Sequence, residues 1–402
     1  MVDLFTSGSL VVTRHDWNSA AVYKGLQTWW MGMAELGQRL RAAREAADLS
    51  LSAMAAKTNY TKPYLSLLEN GKRTVRPEHV TAYSRALNVS AEALYGPKQD
   101  PLRMAHEWLV AATPVAVHRT SGRRVGESLT SEIERRVIDL RYLDDTIGGG
   151  DLMPIVHREL ADTMEIVEIG SYTENIGKRL LVALGELSQL VGWVASDAGH
   201  YQEAQRVYLD GVSAARDAGD QTLAGQLLSS LAYQMTNVGN PVDAALLAKT
   251  AVKGAERATP VAKALLLERV AWAAAKSRDT EAARRALNAV DDAYEARSAG
   301  IKEPEWVYWL NRDEIDVMAG RCYIEIGQPA EAAPLLIKAI NGYEASHVRE
   351  IALYQTWLAE SYARAGELDA ARDVIEDARI TSTGINSTRL TCRVEEIEQL
   401  IN

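Results

Sequence analysis

Thr61-Lys62-Pro63-Tyr64-Leu65-Ser66-Leu67-Leu68-Glu69-Asn70-Gly71-Lys72-Arg73 contains a helix start, an amphipathic helix and a stop. Thr61 is of the type that caps a helix N-terminus. Pro63 falls in the first turn, where its missing N–H costs nothing. Leu65 and Leu68 stand one turn apart on a face suited to burial, and Gly71 offers the left-handed conformation that ends helices. Upstream, Ser50 or Ser52 is placed to cap a short helix through Lys57, and Asn59 tolerates the left-handed conformation of a tight helix-helix turn. From Glu35, the positions Leu36, Leu40, Ala43 and Ala47 repeat at helical spacing until Asp48 to Ser50 interrupts them. Downstream, Pro77 opens a fourth helix to Leu87 and Ser90 caps a fifth through Leu94. Five short helices within about 60 residues form a specific pattern.

Charge is distributed unevenly about this unit. Residues 34–96 hold nine Lys or Arg and six acids, whereas the 402-residue chain carries a net −10. A polyanion would be drawn to this unit and repelled by the rest. The composition, 47% apolar with a single Phe, is that of a folded, mostly helical protein. Length predicts two or three domains.

Residues 1–33 contain three of the nine tryptophans (Trp17, Trp29 and Trp30) without a clean period. They are expected to be an extension, from a misassigned start or a disordered arm. Residues 97–177 are expected to be a linker and helical connector. It holds a helix over Leu102–Ala111, an exposed linker at Ser121 to Gly126, a second helix from Thr130 to Asp144, and a closing loop at Gly148-Gly149-Gly150.

From about residue 178 the chain repeats. Gly-x-x-x-x-Ala recurs at Gly199 to Ala204, Gly239 to Ala244, Gly327 to Ala332 and Gly366 to Ala371, with Arg278 to Ala283 in phase but lacking the glycine. The intervals are 40, 39, 49 and 39 residues, the long one containing Ser298 to Glu305. Small alanines just past a turn let two antiparallel helices approach closely, which predicts a solenoid of helical hairpins over residues 178–402, closed by a capping helix from Ser387.

Arg39-Leu40-Arg41, Arg44, Met54-Ala55 and Tyr64 to Arg73 together resemble the XRE (Cro/repressor-like) helix-turn-helix family. The chain as a whole resembles actinobacterial regulators of that family with a C-terminal tetratricopeptide-like array, and more distantly the Rap and PlcR type of peptide-responsive regulators. The resemblance implies an all-α protein: a five-helix lambda-repressor-like DNA-binding domain followed by a right-handed α-solenoid of tetratricopeptide-like hairpins. It also implies a cytoplasmic transcriptional regulator whose partners are double-stranded operator DNA, a second copy of the chain, and a peptide or small-molecule effector. A DNA-tethered scaffold and a ligand-independent repressor are the alternatives.

In such a head the recognition helix enters the major groove. Lys62, Pro63, Ser66 and Leu67 are then the base-reading candidates, with Lys62 suited to guanine and Leu67 to a thymine methyl or, alternatively, to the core. Ser50, Thr61, Asn70, Lys72, Arg73 and Arg76 are the phosphate candidates. Arg44 and Glu69 occupy the family's internal ion-pair positions. Leu51 stands where the family often has a glutamine, so readout from that position is not expected. In the array, Tyr233, Gln234, Asn237, Trp272, Trp306, Trp309, Asn311, Arg312, Tyr354 and Gln355 are candidates for a concave effector groove, centred on Trp306 to Arg312, across which a peptide would lie.

Other classes have little support. Seven scattered histidines and the absence of any His-Glu-x-x-His or Gly-x-Ser-x-Gly give no catalytic or metal signature, so no cofactor and no enzyme is expected. Cys322 and Cys392, far apart in helical sequence, are expected to be buried, inert thiols. No apolar run reaches the 18 residues of a membrane span, so no membrane partner is expected.

Overall fold

The computed structural model describes residues 36–70, 73, 75, 77–90, 93–94, 100–110, 122–144, 149–343, 347–382 and 388–401. Residues 1–33 lie outside them. Apart from one pair of two-residue strands, the regular structure among the described residues is helical.

The N-terminal unit comprises α1 (36–46), α2 (Leu51–Lys57), α3 (Lys62–Glu69) and α4 (Pro77–Leu87), followed by helical residues 93 and 94. Its core gathers one or two apolar positions from every helix: Leu36 and Leu40, Met54, Leu65 and Leu68, Val80 and Tyr83, and Leu94. Ser50 rather than Ser52 caps α2, its hydroxyl accepting from Ala53 N at 3.1 Å, and Ser90 accepts from Ala93 N at 3.2 Å. The turns depart from expectation. Asn59 has no positive φ; the left-handed residues are Asp48 (φ 52°) and Asn88 (φ 53°), which end α1 and α4. The α2–α3 corner is framed instead by extended Thr58 and Thr61, so no left-handed residue is needed there. Gly71 lies outside the described residues.

Helices α5 (Pro101–Val110), α6 (Glu127–Asp144) and α7 (Gly149–Ile169) lead into five hairpins. These are α8 (Glu174–Asp197) with α9 (Tyr201–Ala218), α10 (Gln221–Val238) with α11 (Pro241–Gly254), α12 (Pro260–Lys276) with α13 (Thr280–Glu295), α14 (Arg312–Glu325) with α15 (Pro329–Gly342), and α16 (Val348–Ala365) with α17 (Leu368–Thr381). Helix α18 (Thr388–Ile401) closes the stack. Helices α8, α10, α12, α14, α16 and α18 pack side by side as one inner row. All five turn alanines, Ala204, Ala244, Ala283, Ala332 and Ala371, are fully buried, which is why nothing larger stands at those positions.

The connector is more integrated than a linker. Helix α5 lies against α9 and α11, with Ala105 buried in their cluster and Leu102, Met104 and Leu109 packed on it. Residues 122–126, expected to be exposed linker, form a clamp: Arg123–Arg124 pair in parallel with Gly170–Ser171, Val125 N donates to Ser171 O at 2.8 Å, and Val125 is buried. Gly122 makes this possible, since at φ 118° a Cβ would come within 1.9 Å of Ile169 O. Gly149 and Gly150 begin α7 rather than ending the preceding unit. The inserted segment after α13 is also tied down: Glu303 accepts from Val261 N (3.1 Å) and Ala262 N (3.3 Å), placing a carboxylate on the positive end of α12.

At the turns, Gly199, Gly327 and Gly366 adopt positive φ, and Arg278 does so too at φ 58°. A non-glycine residue is strained there. Arg278→Gly is therefore expected to raise stability by about 0.5–1 kcal/mol, read as an increased thermal midpoint; a fall in midpoint would contradict this.

Candidate nucleic-acid interface

The buried face of α3 carries Leu65, Leu68 and Glu69. The opposite strip carries Lys62, Pro63, Leu67 and Asn70, all exposed, and Ser66, half-buried. These positions recur at one and four residues, as a single helix face requires. Leu67 is 40% exposed, so it faces outward and is not a core residue.

Two helices hold α3 from behind. Arg44 of α1 grips Glu69 in a fork, Nε to Oε1 at 2.7 Å and Nη2 to Oε2 at 2.7 Å. Tyr83 of α4 donates to Glu69 Oε1 at 2.8 Å, and Arg44 Nη1 donates to Leu49 O at 2.6 Å, fixing the α1–α2 turn. Burial pushes the Tyr83 phenol well above its ordinary range, so it stays protonated and remains a donor. Bonding to Glu69 raises the Arg44 guanidinium further. The sites of attachment differ in kind from the outward strip: one is a closed, fully paired network, the other a row of side chains facing solvent.

Helix α1 approaches α3 closely through Gly37, where a Cβ would fall 2.3 Å from Leu68 O. Gly37→Ala is expected to cost about 2 kcal/mol through overpacking, despite alanine's better helix propensity, and to displace α3. A stabilised variant in urea unfolding would overturn this.

The phosphate candidates separate in the structure. The Thr61 hydroxyl makes no capping bond to α3, contrary to its expected role as a cap. Ser50 Oγ is occupied as the α2 acceptor. Asn70 Nδ2 turns back to Ser66 O (2.7 Å) and Ser66 Oγ (3.2 Å), joining two candidates. Lys72 and Arg76 lie outside the described residues. Arg73 is held by a feature not foreseen from the sequence: its guanidinium carbon lies 4.4 Å above the Tyr64 ring. Tyr64 stacks on Tyr60 (5.2 Å, 8°), and its hydroxyl lies 3.0 Å from Nε2 of buried His79. The spacing of Tyr60 and Tyr64 is the only local sign of it. Leu51 heads α2 and packs on the core.

The array residues form no open groove. Tyr233, Gln234, Trp272, Trp306 and Tyr354 are buried. Asn237 accepts from Trp272 Nε1 at 3.0 Å, and Gln234 donates to Tyr201 O at 2.9 Å. The Trp306 to Arg312 segment is a structural knot. Trp309 Nε1 donates to Trp306 O (3.2 Å), Asn311 caps α14 through Glu314 N (2.9 Å), and Arg312 bridges Asp291 (2.6 Å) and Asp316 (2.5 Å). Tyr354 donates to Glu314, and Gln355 is half-buried.

One residue that sequence reading missed occupies the centre of the inner row. Buried Arg321 donates to Tyr233 OH at 3.0 Å and lies 4.4 and 4.7 Å from the ring centres of Trp272 and Trp357. Its signal was present in the repeat phase: Trp193, Tyr233, Trp272, Arg321 and Glu360 each stand six residues before a punctuating position.

Cys322 is buried, but Cys392 is exposed, because α18 presents Leu390, Arg393, Ile397 and Ile401 to the stack and Cys392 lies off that face. Among the described residues no helix is long and apolar enough to cross a membrane, and no cluster of three potential metal ligands occurs.

Residues 35–94 match the family model described as a helix-turn-helix domain. Two relatives from Mycobacterium tuberculosis, the uncharacterized HTH-type transcriptional regulators MT0491 (strain CDC 1551) and Rv0474 (strain H37Rv), are each 37% identical to this chain over 59 residues. That stretch is 15% of this chain and 42% of each relative, so the chain matches less than half of either regulator's length. The likeness falls on the unit that carries the outward strip of α3: in this region the chain is similar to helix-turn-helix transcriptional regulators.

Proposed function

We propose that this chain is a sequence-specific DNA-binding transcriptional regulator that binds its operator as a homodimer and whose tetratricopeptide-like array senses a ligand. The observation that carries the reading is the α3 helix itself. Lys62, Pro63, Ser66 and Leu67 face outward on one strip, while a buried ion-pair network fixes the helix's back. Rigid support with an exposed reading face is what major-groove recognition demands. The similarity to helix-turn-helix regulators over the same residues supports it.

Lys62 donates to guanine O6 or N7 in this reading, and Leu67 offers apolar contact to a thymine methyl. Arg73, positioned on Tyr64, and Thr61, with its hydroxyl uncommitted to the helix cap, serve phosphates, as do Ser50, Asn70, Lys72 and Arg76. A single head reads a short half-site, so pairing of two chains on a near-palindromic operator supplies the remaining affinity. The array is the source of the dimer contact.

The two classes of contact are separable. Lys62→Ala is expected to cost about 1–3 kcal/mol of discrimination at one base pair. Arg73→Ala should weaken all sequences alike and flatten the slope of log affinity against log salt by about one unit. Competitive binding of operator and scrambled duplexes measures both. An unchanged operator-to-scrambled ratio for Lys62→Ala would remove it as a reader.

A further inference from the structure

Three Arg-Arg pairs lie beyond residue 96, and two of them are neutralised. Arg135 pairs with Glu132 and Asp139, and Arg136 with Glu159. Arg284 pairs with Glu331, and Arg285 with Glu281. Arg123 and Arg124 differ. Both are exposed, and neither forms an ion pair among the described residues. The acids of the neighbouring elements are engaged elsewhere: Glu127 and Glu134 hold Arg179, Glu174 holds Lys178, and Glu168 is not free. Residues 34–96 carry a net +3 within a chain of net −10, so the remainder carries −13. In that acidic setting two adjacent open guanidiniums are not a by-product of composition.

The backbone beneath them is held still. Arg123–Arg124 pair in parallel with Gly170–Ser171, Val125 N donates to Ser171 O at 2.8 Å, and Val125 is buried. Gly122, at φ 118°, allows an approach to Ile169 O that any Cβ would block. Solvating two surface arginines requires none of this. A main-chain clamp fixes where both side chains start and so lowers the ordering cost of binding a partner. Consecutive residues of a strand point to opposite sides, so the two guanidiniums reach separate acceptors rather than share one. Each can fork onto the two oxygens of a phosphate, and a duplex backbone offers such monoanions in a regular row. The clamp also lies on the N-terminal unit's own tether. Leu94 is seven residues before Pro101, and Val110 is twelve before Gly122; the second span is limited to about 40 Å, little more than one turn of duplex.

We infer that Arg123 and Arg124 form a second DNA contact, outside the helix-turn-helix unit, that holds phosphodiesters flanking the half-site. The contact positions the chain on the duplex without reading bases. The inference rests on the DNA-binding reading and adds to it a site that the α3 strip does not contain. Because the clamp is fastened to Gly170–Ser171 between α7 and α8, it ties the first helix of the array to the same duplex that the N-terminal unit reads.

The test is binding of the full chain to long duplex DNA, of selected and of scrambled sequence, across a series of salt concentrations. The double variant Arg123→Ala with Arg124→Ala is expected to weaken both duplexes alike, by about tenfold or more at 0.1 M salt, and to flatten the slope of log affinity against log salt by about one unit for each arginine. Changing both to lysine keeps the charges and should restore most of the slope. Arg285→Ala, which removes a paired surface arginine, should leave the slope as it is. The substitutions are at exposed positions, and an unchanged thermal midpoint confirms the fold. A slope unaltered in the double alanine variant overturns the proposal while leaving the DNA-binding reading intact, as does an equal fall in Arg285→Ala. A parent chain that binds no duplex overturns both. Vesicles containing phosphatidylserine present the other source of phosphodiesters: loss of vesicle binding in the double alanine variant, with its DNA slope unaltered, would assign the pair to a membrane surface and overturn the proposal.

Discussion

Glu69→Ala is expected to destabilise the N-terminal helical unit by about 3–5 kcal/mol. Glu69 is buried and receives the Arg44 fork and the Tyr83 hydroxyl. Its removal leaves a guanidinium 7% exposed without its carboxylate, and the desolvation already spent on Arg44 is no longer offset. A unit of about 60 residues has only a few kcal/mol of net stability, so the loss should leave a large fraction unfolded at 37 °C. The readout is amide exchange at Leu65 and Leu68 in the full chain, together with operator binding, which should fall in parallel. Tyr83→Phe removes one hydrogen bond and should cost only about 1 kcal/mol. Replacing both charges, as in Arg44→Met with Glu69→Leu, should recover much of the loss. A cost below about 1 kcal/mol for Glu69→Ala would mean that the pair is screened and that α3 is held by packing alone.

What was legible from sequence followed the range of the interaction. The caps at Ser50 and Ser90, the proline starts of α3 and α4, and the apolar positions Leu36, Leu40, Leu65 and Leu68 are decided within one or two helical turns, and local residue types report them. The left-handed residues were misassigned at Asn59 because corner geometry depends on how α2 and α3 pack; the structure ends α1 and α4 with Asp48 and Asn88. The clamp of Arg123–Arg124 on Gly170–Ser171 joins residues 47 apart, and no local pattern announces it. The alanine punctuation revealed the repeat, yet curvature is a tertiary property. An open groove was therefore expected where Tyr233, Trp272 and Arg321 in fact fill the inner row. The identical phase of Trp193, Tyr233, Trp272, Arg321 and Glu360 is readable, but only as alignment within the repeat; the insertion and the mix of aromatic faces with polar handles point to Trp306–Arg312, a segment committed to fastening α13 to α14.

Trp272→Ala carries the second large effect. Trp272 is 2% exposed; it donates to Asn237, meets Trp357 edge to face and supports the Arg321 guanidinium at 4.4 Å. Truncating a buried tryptophan costs about 3–5 kcal/mol through lost transfer energy and the cavity left behind. Here Arg321 loses an aromatic face as well, and the contact joining α12 to α16 disappears. Cooperative melting of an array of this size should shift down by roughly 10 °C. Trp272→Phe fills part of the space and should lose less than half as much. Because hairpin arrays are stabilised mainly between neighbours, a small effect confined to α12, with α14 to α18 protected from amide exchange as before, would show that the contacts between every second hairpin contribute little. The N-terminal unit should keep its own amide protection in either variant, since its core draws on α1 to α4 and Leu94.

The measurement closest to the central claim is selection of bound sequences by the full chain from a pool of random duplex DNA at physiological salt. The account predicts enrichment of a near-palindrome whose half-sites lie about 10 base pairs apart, or a multiple of that, centre to centre, with one strongly constrained G·C pair that relaxes in Lys62→Ala. Recovery of DNA without any enriched sequence, or an enriched sequence left unchanged by Lys62→Ala and Leu67→Ala alike, would contradict it.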